Sequence, residues 1–108
     1  MTEGQSAAAR TLDARRETIT VQIEGELDHC SAERVRATLD ALIADPHVKR
    51  LVIDLEKLTF MDSSGIAVAM RARQRMRELG GTARLVRVPA QPERVFRAAG
   101  IGKWMEIS

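Results

Sequence analysis

"LTFMDSSGIAVAM", Leu58 to Met70, is the stretch on which the reading of this chain turns. Its centre places a carboxylate, two hydroxyls and a glycine in succession: Asp62, Ser63, Ser64 and Gly65. An apolar, helix-like segment follows at once. Three readings compete for "DSSG". Asp and Ser ahead of a helix are favoured N-caps, because their side-chain oxygens accept hydrogen bonds from the unpaired N–H groups of the first turn. The same helix end, with free N–H groups and the positive pole of the dipole, accommodates a phosphate. A serine just outside the first turn is open to a kinase, and Gly65 removes a side chain from the approach. Phosphorylation there adds about −1.5 to −2 charges at one point, a large local change in a chain of formal net charge +2. The third reading, a nucleophile, needs a base within hydrogen-bond reach and a group behind it. The hydrolase elbow is G-x-S-x-G, and "MDSSG" lacks the first glycine. The only histidines are His29 and His47, and sequence spacing brings neither to Ser63. Asp28, His29 and Cys30 are successive residues, which rarely converge on one metal ion, so they read as a polar turn.

Upstream of this stretch, "TITVQIE" (Thr18 to Glu24) alternates cleanly, with Ile19, Val21 and Ile23 on one side. That pattern is a strand with one buried face, and Gly25 is expected to break it. A weaker first strand is read in "ARTLDARRE". In "LDHCSAERVRATLDALIAD" Ser31 is the expected N-cap, with Glu33 in the first turn where the dipole favours negative charge. Val35, Leu39, Leu42 and Ile43 make one apolar stripe, and Pro46 ends the helix. "LVI" (Leu51 to Ile53) is a short continuous apolar run, as in a central strand buried on both faces.

Downstream, "IAVAMRARQRMRELGG" reads as a second helix with Ile66, Ala69, Met70 and Met76 inward and the Gly80–Gly81 pair as its stop. Arg71, Arg73, Arg75 and Arg77 divide into two rows on this helix, either a solvated face or a partner surface. "TARLVRV" is a strand. "PAQPERVFRAAG" is a short helix with Pro92 near its start, Val95, Phe96 and Ala99 inward and Gly100 after it. "KWMEIS" is at most a short strand. Strands alternating with helices imply an α/β layer fold with parallel crossovers. The expectation is one domain over residues 9–108 after a flexible tail at residues 1–8, with a mixed sheet of four to five strands and helices mainly on one face.

The bulk properties exclude several function classes. At 108 residues the chain is one domain. Its 17 basic and 15 acidic residues are largely interspersed, which does not point to nucleic acid. Single-strand binding needs aromatic stacking platforms, and the chain offers Phe60, Phe96 and Trp104 with no Tyr. A single cysteine, Cys30, precludes an internal disulfide and fits a reducing compartment. The start "MTEGQSAAAR" has no apolar core and is not a signal peptide. No apolar run approaches the ~18 residues of a spanning helix. A cytoplasmic protein without membrane association is expected.

"GELDHCSAERVRATL", "VIDLEKLTFMDSSGIAVAM", "ELGGTARLV" and "RVFRAAGI" resemble, in order and spacing, the STAS domain of bacterial anti-sigma factor antagonists, most closely the sporulation type. The resemblance runs from about Thr18 to Trp104, and the pair "GELDH" plus "FMDSSG" is its specific part. It implies a partner-switching regulator and no enzyme. Unphosphorylated, such a protein binds an anti-sigma factor that is also a serine kinase, and so frees a sigma factor. The kinase phosphorylates the antagonist, which lets go, and a metal-dependent serine phosphatase resets it. By position the resemblance makes Ser63 the phosphoacceptor. It places Glu26, Asp28, His29, Asp62, Ser63, Ser64 and Gly65 on the partner surface, with Leu27 inside the same loop. It implies no cofactor, no metal and no nucleic-acid partner. A non-switching STAS scaffold subunit of a transporter or signalling complex is the alternative. Cys30 stands where a small or polar residue is expected, and no counterpart of the C-terminal helix common in the family is expected after Trp104.

Overall fold

The structure, a computed structural model, describes residues 5–108. In chain order the elements are β1 (Ala8–Arg15), β2 (Thr18–Leu27), α1 (His29–Ile43), β3 (Arg50–Asp54), β4 (Leu58–Met61), α2 (Ser63–Glu78), β5 (Thr82–Val86), α3 (Ala90–Ala98), a 3-10 turn (Ile101–Lys103) and β6 (Glu106–Ile107). The sheet runs β1-β2-β3-β5-β6, with β4 joined to β2 off this path. β1 is antiparallel to β2, and the other pairings are parallel. This is the expected mixed α/β sheet with six strands where four to five were read. From β2 through β3 and β5 to β6, each parallel step goes to the next neighbour by way of a helix. Right-handed crossovers in one direction put every helix on one face, and α2 packs against both α1 and α3.

That face holds the core. Val21, Ile23, Leu51, Ile53 and Leu85 of the sheet meet Val35, Leu39 and Ile43 of α1, Val68, Ala69 and Met76 of α2, and Phe96 of α3. The inward stripe of α2 is rotated from the expected one. Gly65, Val68, Ala69, Ala72 and Met76 are buried, while Ile66 and Met70 are half-buried. The helix must satisfy α1 beside it as well as the sheet beneath. In α3, Pro92 and Phe96 are buried, and Ala99, which follows the helix as its C-cap, is exposed. Val52 is buried as expected, but outside the main core cluster, between Thr20 and Arg84 in register.

Gly25 does not end its strand. It carries β2 onward at φ +100°, where an added Cβ would lie 2.7 Å from the Gln5 carbonyl oxygen. Before it, β2 pairs with β3; from it onward, β2 pairs with β4. The close approach comes from residues assigned above to the tail. Ser6 bridges Glu26, the Ala7 N–H donates to the Glu26 carbonyl at 2.9 Å, and the Glu26 N–H donates to the Gln5 carbonyl at 2.7 Å. Ala7 is fully buried, and Arg34 donates to its carbonyl at 2.6 Å. Residues 5–8 are therefore docked by paired backbone groups and a buried methyl, and are not a free tail; residues 1–4 lie outside the described part of the chain.

The turn between β3 and β4 is also fixed. Buried Asp54 accepts from the Glu56 N–H at 3.0 Å and from Arg87 Nε at 2.9 Å. Arg87 sits after β5 at φ 54°, a left-handed conformation uncommon for a residue with a side chain. Its guanidinium folds back over Asp54 and reaches Glu56 at 3.1 Å, and the hydrogen bond to Asp54 raises its pKa above the ordinary arginine value.

Candidate functional site

β2 and β4 end side by side. Leu27 is in register with Met61, and the Asp62 N–H donates to the Leu27 carbonyl at 3.1 Å. Each strand passes directly into a helix, so α1 and α2 start together at one rim of the sheet. Parallel strands open their binding sites at their carboxyl ends for this geometric reason.

Each helix is capped by an aspartate. Asp62 is the N-cap of α2, and its Oδ1 accepts the Ser64 N–H at 2.8 Å. Asp28 is the N-cap of α1, where Ser31 was expected. Its Oδ1 accepts the N–H groups of Cys30 at 3.0 Å and Ser31 at 3.1 Å. Ser31 is the third helical residue and returns the bond, its Oγ accepting the Asp28 N–H at 3.1 Å and donating to the Glu26 carbonyl at 2.9 Å. This reciprocal capping box leaves Ser31 buried. Because a lost cap costs about 0.5–2 kcal/mol, Asp28→Ala should lower the unfolding free energy by that amount in urea titration. A loss confined to Ser31→Ala, with Asp28→Ala neutral, would contradict the assignment.

The residues singled out in the sequence fall as follows. Glu26 is half-buried and in register with Phe60, which is 42% exposed. His29 is the exposed first residue of α1. Ser63 is the first residue of α2, inside the helix and exposed, and no hydrogen bond to its Oγ is made among the described residues. Ser64 is half-buried and lines a groove of about 320 Å³ between α1 and α2, with Ala32, Glu33, Arg36, Ala67, Val68 and Arg71. Gly65 is buried, contrary to a role in clearing the approach: a Cβ there would stand 2.3 Å from the Met61 side chain. Two residues along a helix turn the chain about 200°, so an exposed Ser63 puts Gly65 on the packed side. These residues share one rim, where the Ser63 hydroxyl is exposed and Ser64 is half-buried.

Among the described residues neither histidine, His29 or His47, is hydrogen-bonded to Ser63; His47 turns instead to Asp45 at 3.2 Å. No group of three potential metal ligands occurs among the described residues. The arginines of α2 are mostly engaged within the molecule. Arg71 reaches Asp40 of α1 at 3.1 Å, Arg75 pairs with Glu78 at 3.1 Å, and Arg73 donates to the Trp104 carbonyl and lies over its ring. On α1, the Arg36 guanidinium hydrogen-bonded to Glu33 holds that carboxyl below its usual range.

The STAS domain profile matches residues 9–108. The chain belongs to the STAS domain family. Among similar proteins is the anti-sigma F factor antagonist of Lysinibacillus sphaericus, 34% identical over 90 residues, covering 83% of this chain and 77% of that one. The anti-sigma F factor antagonist of Paenibacillus polymyxa is 30% identical over 96 residues, covering 89% and 82%. The solved structure of the anti-sigma factor antagonist SpoIIAA in its unphosphorylated form superposes with a TM-score of 0.79 at 30% identity, covering 94% of this chain and 88% of that one.

Two parts of this STAS domain's rim were not apparent in the sequence. One is Phe60, exposed in the middle of a strand that the sequence did not separate from its turn. The other is Gln91 of α3. Its Oε1 accepts the Met61 N–H at 2.9 Å and its Nε2 donates to the Met61 carbonyl at 2.8 Å. A glutamine 30 residues from its partner carries no local signal. No helix among the described residues is long and apolar enough to cross a membrane.

Proposed function

We propose that this protein is a cytoplasmic anti-sigma factor antagonist controlled by phosphorylation of Ser63. Unphosphorylated, it binds an anti-sigma factor that is a serine kinase and thereby releases a sigma factor. The kinase transfers phosphate to Ser63 and the complex parts; a metal-dependent serine phosphatase restores the binding form. The antagonist itself supplies no catalysis and carries no cofactor.

One observation carries this reading. Ser63 is exposed at the first position of α2, on a rim where the two aspartate-capped helices begin together. The hydroxyl is reachable, and the N–H groups and dipole of α2 tolerate the product in the free protein. Yet the added charge lands beside Asp62 and near Asp28, on the surface a partner must cover. The similarity to anti-sigma F factor antagonists supports the same reading. Ser64 is a poorer acceptor, since it faces the groove between the helices.

Incubation with an anti-sigma factor serine kinase encoded in the same genome, with ATP and Mg²⁺, should add one phosphate, placed on Ser63 by peptide mass spectrometry. Labelling at Ser64, undiminished in Ser63→Ala, would overturn the assignment. A protein that takes no phosphate yet remains bound to its partners would favour the scaffold alternative.

A further inference from the structure

We infer that Gln91 is a positioning residue for phosphate transfer to Ser63, acting through the backbone of Met61; this rests on the reading of Ser63 as phosphoacceptor. β4 has one strand neighbour. Its inner edge pairs with β2, through bonds such as Asp62 N–H to Leu27 carbonyl. Alternation along a strand turns the Met61 N–H and carbonyl to the other side, where no strand follows. Left alone, both would be unpaired groups at a half-buried edge, an arrangement folded proteins avoid. The Gln91 carboxamide supplies one acceptor and one donor at 2.9 and 2.8 Å, as a neighbouring strand would. Met61 itself is fully buried, so its backbone is held by its side chain, by β2 and by Gln91. Asp62 and Ser63 are the next two residues. A shift of β4 at Met61 therefore moves the acceptor hydroxyl directly.

The same two bonds join α3 to the phosphorylated rim, because Gln91 lies in the first turn of α3 and packs in front of β4. Neither the capping of α2 nor the core needs them: Asp62 caps the helix without Gln91, and α3 is anchored by buried Pro92 and Phe96. The two bonds also add stability, so the orienting role is read against a variant that loses stability elsewhere. Misplacing a reacting group by about 1 Å can cost on the order of a hundredfold in rate.

The test compares wild type, Gln91→Met, Gln91→Glu and Ile43→Val in the full chain. Met matches Gln in length and makes neither bond. Glu keeps the acceptor for the Met61 N–H and loses the donor. Ile43→Val trims the core at the far end of α1 and controls for stability. With the anti-sigma kinase and ATP, Gln91→Met should lower kcat for Ser63 labelling about ten- to hundredfold with KM little changed, Gln91→Glu should fall between, and Ile43→Val should match wild type. Hydrogen exchange read by NMR should show the Met61 amide slow in wild type and Gln91→Glu and fast in Gln91→Met. An unchanged kcat in Gln91→Met, or an equal loss in Ile43→Val, overturns the positioning role. Equal exchange of the Met61 amide in wild type and Gln91→Met overturns the bond on which it depends. A wild type that takes no phosphate overturns instead the reading of Ser63, and the exchange result then still decides whether Gln91 holds Met61.

Discussion

Ser63→Asp should bind the anti-sigma kinase at least about a hundredfold more weakly than Ser63→Ala, a difference of about 2.7 kcal/mol. The first position of α2 is favourable for a carboxylate in the free protein, because the helix dipole and free N–H groups stabilise it. The fold should survive, and the two variants should melt at similar temperatures. The cost arises on binding. Two capped carboxylates, Asp28 and Asp62, already occupy this rim. A third, pressed into the kinase's active site without a cation to meet it, is a buried unpaired charge, which costs several kcal/mol. Ser63→Ala loses a hydroxyl that has no hydrogen-bond partner among the described residues. It should keep most of its affinity while blocking release. Titration calorimetry decides the matter: equal affinities for two folded variants would make the site a cap and not a switch.

The second large effect lies beneath the same serine. Gly65→Val should destabilise the protein by about 3 kcal/mol, at the upper end of overpacking costs. An added Cβ would stand 2.3 Å from Met61 Cγ and Sδ and 3.1 Å from Leu27 Cδ2. Met61 is fully buried, so it can yield only by repacking against its neighbours. Met61→Ala alone should cost about 2–5 kcal/mol by leaving a cavity. In the double variant the new side chain enters that cavity. The loss in the double variant should therefore fall short of the sum of the two single losses by more than about 1 kcal/mol, a coupling typical of residues in contact. Strict additivity in denaturant titrations would show that Gly65 is required for some reason other than the space Met61 fills.

Much of this architecture was legible along the chain. The clean alternation of Ile19, Val21 and Ile23, and the spacing of Val35, Leu39 and Ile43, each obey one period and land on the core. What escaped notice depends on partners distant in sequence or on local signals that point two ways. Asp28 and Ser31 are both good capping residues three apart, and in the folded chain both cap, so choosing one had to misplace the helix start. β4 has only four residues, with the middle two exposed and the outer two buried. The shift in register between Gly25 and Glu26 spoils the simple alternation that marks a strand. Gly25 itself looked like a breaker because glycine usually is one; here it lets a strand pass a crossing backbone. At the rim, the acidic and hydroxyl residues could be read directly, since their chemistry is local. Whether a given one faces outward, as Ser63 does, or inward, as Gly65 does, depends on where the helix turn begins.

The clasp made by Gln5, Ser6 and Ala7 bears on where this module begins. The family profile match starts at residue 9, yet the backbone groups that seat Glu26 belong to residues 5 and 7. The profile match and the mechanical unit are thus offset by a few residues. A domain excised along the line of likeness would keep its core, its helices and its serine. It would leave the end of β2 unlatched on one side, immediately before the Asp28 cap of α1. For anyone grafting this domain into another protein, the natural seam lies upstream of the recognisable sequence, and a fusion partner placed at residue 9 would take the position of the latch.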